Sequence, residues 1–210
     1  MTELDLNPDE VTIDRLAKYV EMILSWNSRI NLVSKKDADR LVSRHLLDSL
    51  TVESMLRGNV VMDIGSGAGL PGIPLASCRP ELSFLLVERS AKRSRFLNIV
   101  KSELGLDNVE CLNLSLSASN GSKLICDTAV CRAVHNPITI WSLCKERLSR
   151  QGRLVFFLST KESEELTPYS ARLDQLEKVN WEVKAVGVPG LSSPHEVLVI
   201  DKILKRSKLS

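Results

Sequence analysis

The residues with the most chemical content lie in one stretch, Asp63-Ile64-Gly65-Ser66-Gly67-Ala68-Gly69-Leu70-Pro71-Gly72. Four glycines in eight positions make a loop that turns tightly and lets a ligand approach the backbone with no Cβ in the way. Two cofactor classes use such a loop. The dinucleotide fingerprint G-x-G-x-x-G fails from Gly65, because position 70 is Leu. From Gly67 it matches as Gly67, Gly69 and Gly72, but with Pro71 inside the phosphate turn and the first glycine late after the preceding apolar run. The second class reads D-x-G-x-G-x-G and holds S-adenosylmethionine (SAM); Asp63, Gly65, Gly67 and Gly69 satisfy it in full. Asp63 is then placed to meet the cationic amino group of a methionine moiety. Glu88 serves either class: 23 residues after Gly65, at the end of the next strand, an acid can accept both hydroxyls of a ribose. The pattern favours SAM.

These residues need a scaffold that brings strand ends to one edge. Short apolar runs at Val60–Ile64, Phe84–Val87, Val109–Leu112, Ala129–Cys131 and Leu154–Leu158 alternate with helical patterns at Pro74–Cys78, Ala91–Leu104 and Pro137–Leu148. Near-continuous hydrophobic strands separated by helices predict a parallel sheet covered on both faces. After a charged helix near Lys161–Val179, the runs Trp181–Val188 and Glu196–Ile203 are joined by a Pro/Gly/Ser loop with no crossover helix, so they are expected to be antiparallel. Before residue 60 the pattern is helical. Ile13, Leu16, Ala17, Val20, Ile23 and Leu24 are expected on one face, with Asn7 or Asp9 as the cap, and a second helix is expected over Asp37–Leu56. The fold class is α/β, a Rossmann-like doubly wound sheet, mostly parallel with an antiparallel last strand. It divides into an N-terminal helical cap, 1–58, and a SAM-binding domain, 59–210.

Composition narrows the function classes. The 210 residues suffice for one core without disulfides or metal. No apolar run approaches the ~18 residues of a membrane span, and the acidic start Met1–Leu6 does not read as a signal peptide. The five cysteines form no C-x-x-C, so no metal site is expected, and reduced thiols fit a cytoplasmic protein. A net charge of +2 does not by itself imply a nucleic-acid partner. Charge placement says more: Arg89, Lys92, Arg93, Arg95 and Lys101 run without an acid, and the tail carries Lys202, Lys205, Arg206 and Lys208.

Taken together, several segments carry a resemblance. They are Trp26-Asn27, Asn31-Leu32-Val33, Arg44-His45-Leu46-Leu47-Asp48-Ser49-Leu50, Asp63 to Ala76, Lys92-Arg93-Ser94-Arg95-Phe96-Leu97 and Cys131-Arg132-Ala133. The chain resembles the RsmG (GidB) family of bacterial small-subunit rRNA methyltransferases over roughly residues 24 to 158. The resemblance implies the class I methyltransferase fold, SAM as cofactor, and methylation of a guanine N7 in 16S rRNA, in the loop near the decoding centre. It puts SAM contacts on Gly65, Leu70, the Leu116-Ser117 pair and Arg132. Three departures stand out: Cys131 where the family usually has Ser, Ser117 where an acid is common, and Ser159-Thr160-Lys161-Glu162 where Lys-Gly is frequent.

Guanine N7 is a lone pair with no proton to lose, so the reaction needs no general base and none is assigned. Asn31, Arg44, His45, Lys92, Arg93 and Arg95 are the residues expected toward RNA, acting as a monomer on 16S rRNA or the small subunit. His135 and His195 are read as incidental. The alternatives are a methyltransferase of small molecules or proteins, or an RNA-binding module that keeps SAM as a structural ligand.

Overall fold

Alternation of buried side chains along the strands sets the architecture. In a computed structural model, residues 6–34, 38–117, 124–132, 136–158 and 166–203 are described. Asp37, Ala133, His135, Ser159 to Glu162, and the tail residues Lys205, Arg206 and Lys208 lie outside them. Strands β1 (Val60–Ile64), β2 (Ser83–Val87), β3 (Val109–Leu112), β4 (Cys126–Arg132), β5 (Leu148–Phe157), β6 (Val179–Val186) and β7 (His195–Lys202) form one sheet in the order β3-β2-β1-β4-β5-β7-β6. The first five are parallel, and β7 runs antiparallel to both β5 and β6. The expected α/β sheet with an antiparallel last pair is the observed one.

Successive residues of β1 feed opposite faces, as strand periodicity requires. Val61 joins the core beneath helices α1 (Glu10–Ile30), α3 (Gly72–Cys78) and α4 (Ala91–Leu104). Met62 and Ile64 join the core beneath α5 (Pro137–Cys144) and α6 (Leu166–Asp174). Helix α4 has the bounds its sequence predicts, because Gly105 ends it in the left-handed conformation at φ 60°. It buries Phe96, Leu97, Val100 and Leu104 and turns Lys92 and Arg95 to solvent.

Two N-terminal expectations change. Helix α1 is capped by Asp9, whose carboxylate accepts from Thr12 N–H at 2.9 Å. Its buried face, however, is Leu16, Tyr19 and Ile23, continued by the half-buried Trp26 and Ile30, while Ile13 and Leu24 are exposed. Steps of three, four, three and four make the cleaner stripe once Tyr19 is counted as apolar. The second helix is broken into a 3₁₀ turn (Ala38–Arg40), a wide π-helical stretch (Val42–Leu47) running into α2 (Asp48–Leu50), and another 3₁₀ turn (Glu53–Met55). The π stretch leaves the Arg44 and His45 carbonyls within reach of Arg132 on β4, a contact that helical periodicity cannot anticipate.

Candidate functional site at the carboxyl edge of the sheet

Strand β1 ends at Ile64 and the chain turns through residues 65–71 into α3, at the edge where open α/β sheets bind ligands. Gly65, Gly67 and Gly69 have φ of 73°, 57° and 99°, a region other residues rarely adopt. Backbone N–H groups of Gly65 and Ser66 donate to the Val87 carbonyl at the end of β2, at 2.9 and 3.1 Å. Glu88 is buried at that junction, at 4% exposure. One of its oxygens accepts Gly67 N–H at 2.9 Å and the other Ser90 N–H at 2.7 Å. Asn113, just past β3, donates to the Glu88 carbonyl at 2.9 Å. Each carboxylate oxygen keeps a second lone pair, so the fixed acid can still accept a pair of ribose hydroxyls.

Beside it lies a cleft of about 360 Å³ lined by Gly65, Glu88, Arg93 and Leu116, with Ile140 and Leu143 of α5 completing an apolar wall. The structure thus brings together Gly65, Glu88 with Arg93, and Leu116 from three separate sequence regions. Two further observations fit a cofactor with a cationic amino group. Among the described residues, a Cβ built on Gly67 would meet only the Gly65 carbonyl, at 3.7 Å, so they leave the loop open on that side. Asp63, behind the loop, uses one carboxylate oxygen to accept Gly72 N–H at 3.0 Å, while the other is buried with no hydrogen-bond partner among the described residues. Burial pushes the Asp63 carboxyl up to about 7; the backbone N–H of Gly72, the nearby Ser66 hydroxyl and the charge of Arg132 oppose the rise, and the charge of Glu88 adds to it. A buried acceptor left open in this way is suited to a cationic donor.

The other residues expected at the site have these surroundings. The Leu70 side chain is buried in the core shared with α1. Ser117 offers its carbonyl to Arg147 at 3.0 Å. Arg93, besides lining the cleft, donates to the Asn31 carbonyl at 3.4 Å, where Asn31 ends α1 at φ 47°. Arg132 turns its guanidinium to the cap. It donates to the carbonyls of Arg44 (2.9 Å) and His45 (3.2 Å), meets His45 Nδ1 at 2.6 Å, and pairs with the buried Asp48 at 3.2 Å. The other Asp48 oxygen meets His195 Nδ1 at 2.8 Å. His195 is therefore not incidental: it opens β7 at the same edge and joins an Arg132–Asp48–His195 clasp spanning the cap, β4 and β7. No local signal could flag a partner 147 residues away.

A family model described as rRNA small subunit methyltransferase G matches residues 12–191. The ribosomal RNA small subunit methyltransferase G of Francisella philomiragia is 33% identical over 202 residues, 96% of this chain and 94% of that protein. The like-named protein of Nitrosococcus oceani is 38% identical over 157 residues, 71% and 73% of the two chains. The chain belongs to the small-subunit rRNA methyltransferase G family. Like the rest of this family, it is a SAM-dependent methyltransferase. The fold agrees with that of the SAM-bound O-methyltransferase TomG from Streptomyces achromogenes, with TM-score 0.61, 12% identity, and coverage of 96% and 93%. A methyltransferase from Geobacter sulfurreducens gives 0.60 at 15% identity, covering 94% and 90%. Among the described residues no helix is long and apolar enough to cross a membrane, and no cluster of His, Cys, Asp and Glu is arranged to hold a metal ion.

Proposed function

We propose that this protein methylates N7 of a guanine in 16S rRNA, as a monomer in the cytoplasm, with SAM held between the 65–69 loop and Glu88. The observation that carries this reading is the buried Glu88 carboxylate clamping Gly67 N–H at the mouth of a cleft lined by Gly65 and Leu116. When bound, SAM supplies an electrophilic methyl group on a positively charged sulfur. Glu88 accepts the ribose hydroxyls, the open oxygen of Asp63 accepts the methionine ammonium, and Leu116 with Ile140 covers the adenine ring. Arg132, held rigid by its clasp, keeps the cap fixed over the same edge. Since N7 carries no proton, the residues have to orient the base in line with the methyl group rather than deprotonate it. Orientation of this kind is worth about 7–11 kcal/mol in favourable cases. Lys92 and Arg95, exposed on α4, are available to the phosphates of a splayed loop.

The test is methyl transfer from labelled SAM to small ribosomal subunits, naked 16S rRNA, and pools of protein and metabolites. Label recovered as N7-methylguanine at one rRNA position supports the reading. Label entering only the protein or metabolite pool overturns it, and light scattering of the active species checks the monomer.

A further inference from the structure

The loop that holds SAM is fixed in part from outside the sheet. Between Ile64 and Gly72, three positive-φ glycines give the backbone wide freedom, and freedom in a binding loop is entropy lost on binding. Most of its restraints are local: the Val87 carbonyl holds the amides of Gly65 and Ser66, Glu88 holds that of Gly67, and the Ser66 carbonyl holds those of Gly69 and Leu70. The Ala68 carbonyl is held from elsewhere. Tyr19 of α1, at 0% exposure, donates its hydroxyl to that oxygen at 2.8 Å. The contact is close on both sides, since a Cβ on Gly69 would lie 3.1 Å from the Tyr19 hydroxyl.

We infer that Tyr19 is a positioning residue for SAM, with helix α1 holding the 68–69 peptide in its cofactor-competent orientation through this one hydrogen bond. The residue type argues for it. A helix that had only to bury a ring here would do better with Phe, because a buried hydroxyl is unfavourable unless it is bonded. Burial also raises the phenol pKa well above its usual value, so the group remains a donor wherever the protein is folded. Without this bond the 68–69 peptide, between Ala68 and Gly69, is left to the Gly69 N–H on the Ser66 carbonyl at 2.6 Å, and loops in which that bond opens lose the cofactor-competent orientation. The apparent dissociation constant then rises by the inverse of the fraction of loops still competent to bind.

The inference rests on the reading that SAM occupies the 65–69 loop, and the experiment separates the two. SAM affinity is measured by calorimetry for wild type, Tyr19→Phe, and Arg15→Gln. Arg15 ties α1 to the Leu104 carbonyl at 3.0 Å, away from the loop, and serves as a control for general loosening of the helix. Tyr19→Phe is expected to weaken SAM binding about tenfold, the loss expected if one loop in ten stays competent, and to leave RNA affinity unchanged. Its amides at 66–70 are expected to exchange faster. Arg15→Gln is expected to lower the melting temperature while keeping SAM affinity within about twofold. Incorporation of 4-aminophenylalanine at position 19 retains a weaker donor and is expected to give intermediate affinity; if Tyr19→Phe does not fold, this variant decides alone. Wild-type SAM affinity in Tyr19→Phe (or, should that variant not fold, in the 4-aminophenylalanine variant), or an equal loss in Arg15→Gln, overturns the inference. Failure of the wild-type protein itself to bind SAM overturns the underlying reading.

Discussion

The two edges of the sheet differ in what they leave unanswered. At the amino edge, Arg153 is buried and meets both oxygens of Asp201 at 2.8 and 2.9 Å, while donating to the Met55 carbonyl at 2.9 Å. Asp127 accepts the backbone amides of Asn59 and Val60, and Thr128 exchanges two hydrogen bonds with the backbone of Arg57. Every one of these groups is answered by another part of the same chain. At the carboxyl edge, Asp63 keeps a buried oxygen with no partner among the described residues, and three loop glycines stand at positive φ. Groups that would be defects at one edge are the proposed binding apparatus at the other. The amino edge closes the fold, and the carboxyl edge is kept ready for a ligand.

Filling the open side of the loop is the strongest way to break this contrast. Gly67→Arg places a side chain where only the Gly65 carbonyl now lies nearby, in a backbone conformation unfavourable to it. SAM binding is expected to be lost while circular dichroism and the cooperative melt persist. Calorimetry on the folded variant checks this, and retained affinity removes the loop from the site.

The converse change belongs to the amino edge. Asp201→Ala leaves the buried Arg153 guanidinium without its carboxylate, a loss of about 3 kcal/mol, or roughly 6–12 °C in melting temperature for a domain of this size. SAM affinity is expected to stay within about twofold. A large loss of SAM affinity with unchanged stability would show that the edges are not independent.

Asp63 sharpens the comparison through pH. Its folded-state value of about 7 lies above the ordinary 3.8, so the fold favours the protonated acid. Stability from this group is therefore fully present below about pH 4 and falls as pH rises toward 7. A methionine ammonium needs the ionised form. The affinity advantage of wild type over Asp63→Asn is thus expected to shrink about tenfold between pH 8 and pH 6, a comparison that cancels titration of SAM itself. A constant ratio would place the ammonium elsewhere.

The smallest effect concerns RNA. Lys92 and Arg95 project from the start of α4, close to the Glu88 junction. Changing both to Gln is expected to flatten the plot of log RNA affinity against log salt by about 1 to 1.5, with SAM affinity unchanged. An unchanged slope would make these residues a solvated helix face.

How much of this could be read from the sequence follows the range of the forces involved. The 63–72 loop, Glu88 at the end of β2 and the bounds of α4 were legible because glycine spacing, strand periodicity and a terminal glycine are local signals. Strand β5 begins at Leu148 rather than at Leu154, because Arg150, Gln151 and Arg153 conceal its start beneath polar side chains. The Arg132–Asp48–His195 clasp and the Tyr19 contact were hidden for one reason. Each depends on a partner far away in the chain. The resemblance supplied candidates such as Arg132 and Leu116, but the direction in which Arg132 points emerged only with the cap packed against β4.

Hydrogen exchange with and without SAM tests the central claim, that one edge binds the cofactor and the other closes the fold. SAM is expected to slow exchange at the amides of residues 65–70 and 88–90, where Gly67 and Ser90 N–H meet Glu88, and to leave residues 57–60 and 149–153 unaltered. Protection appearing at the amino-edge residues, or absent from the 65–70 loop at saturating SAM, would contradict the account.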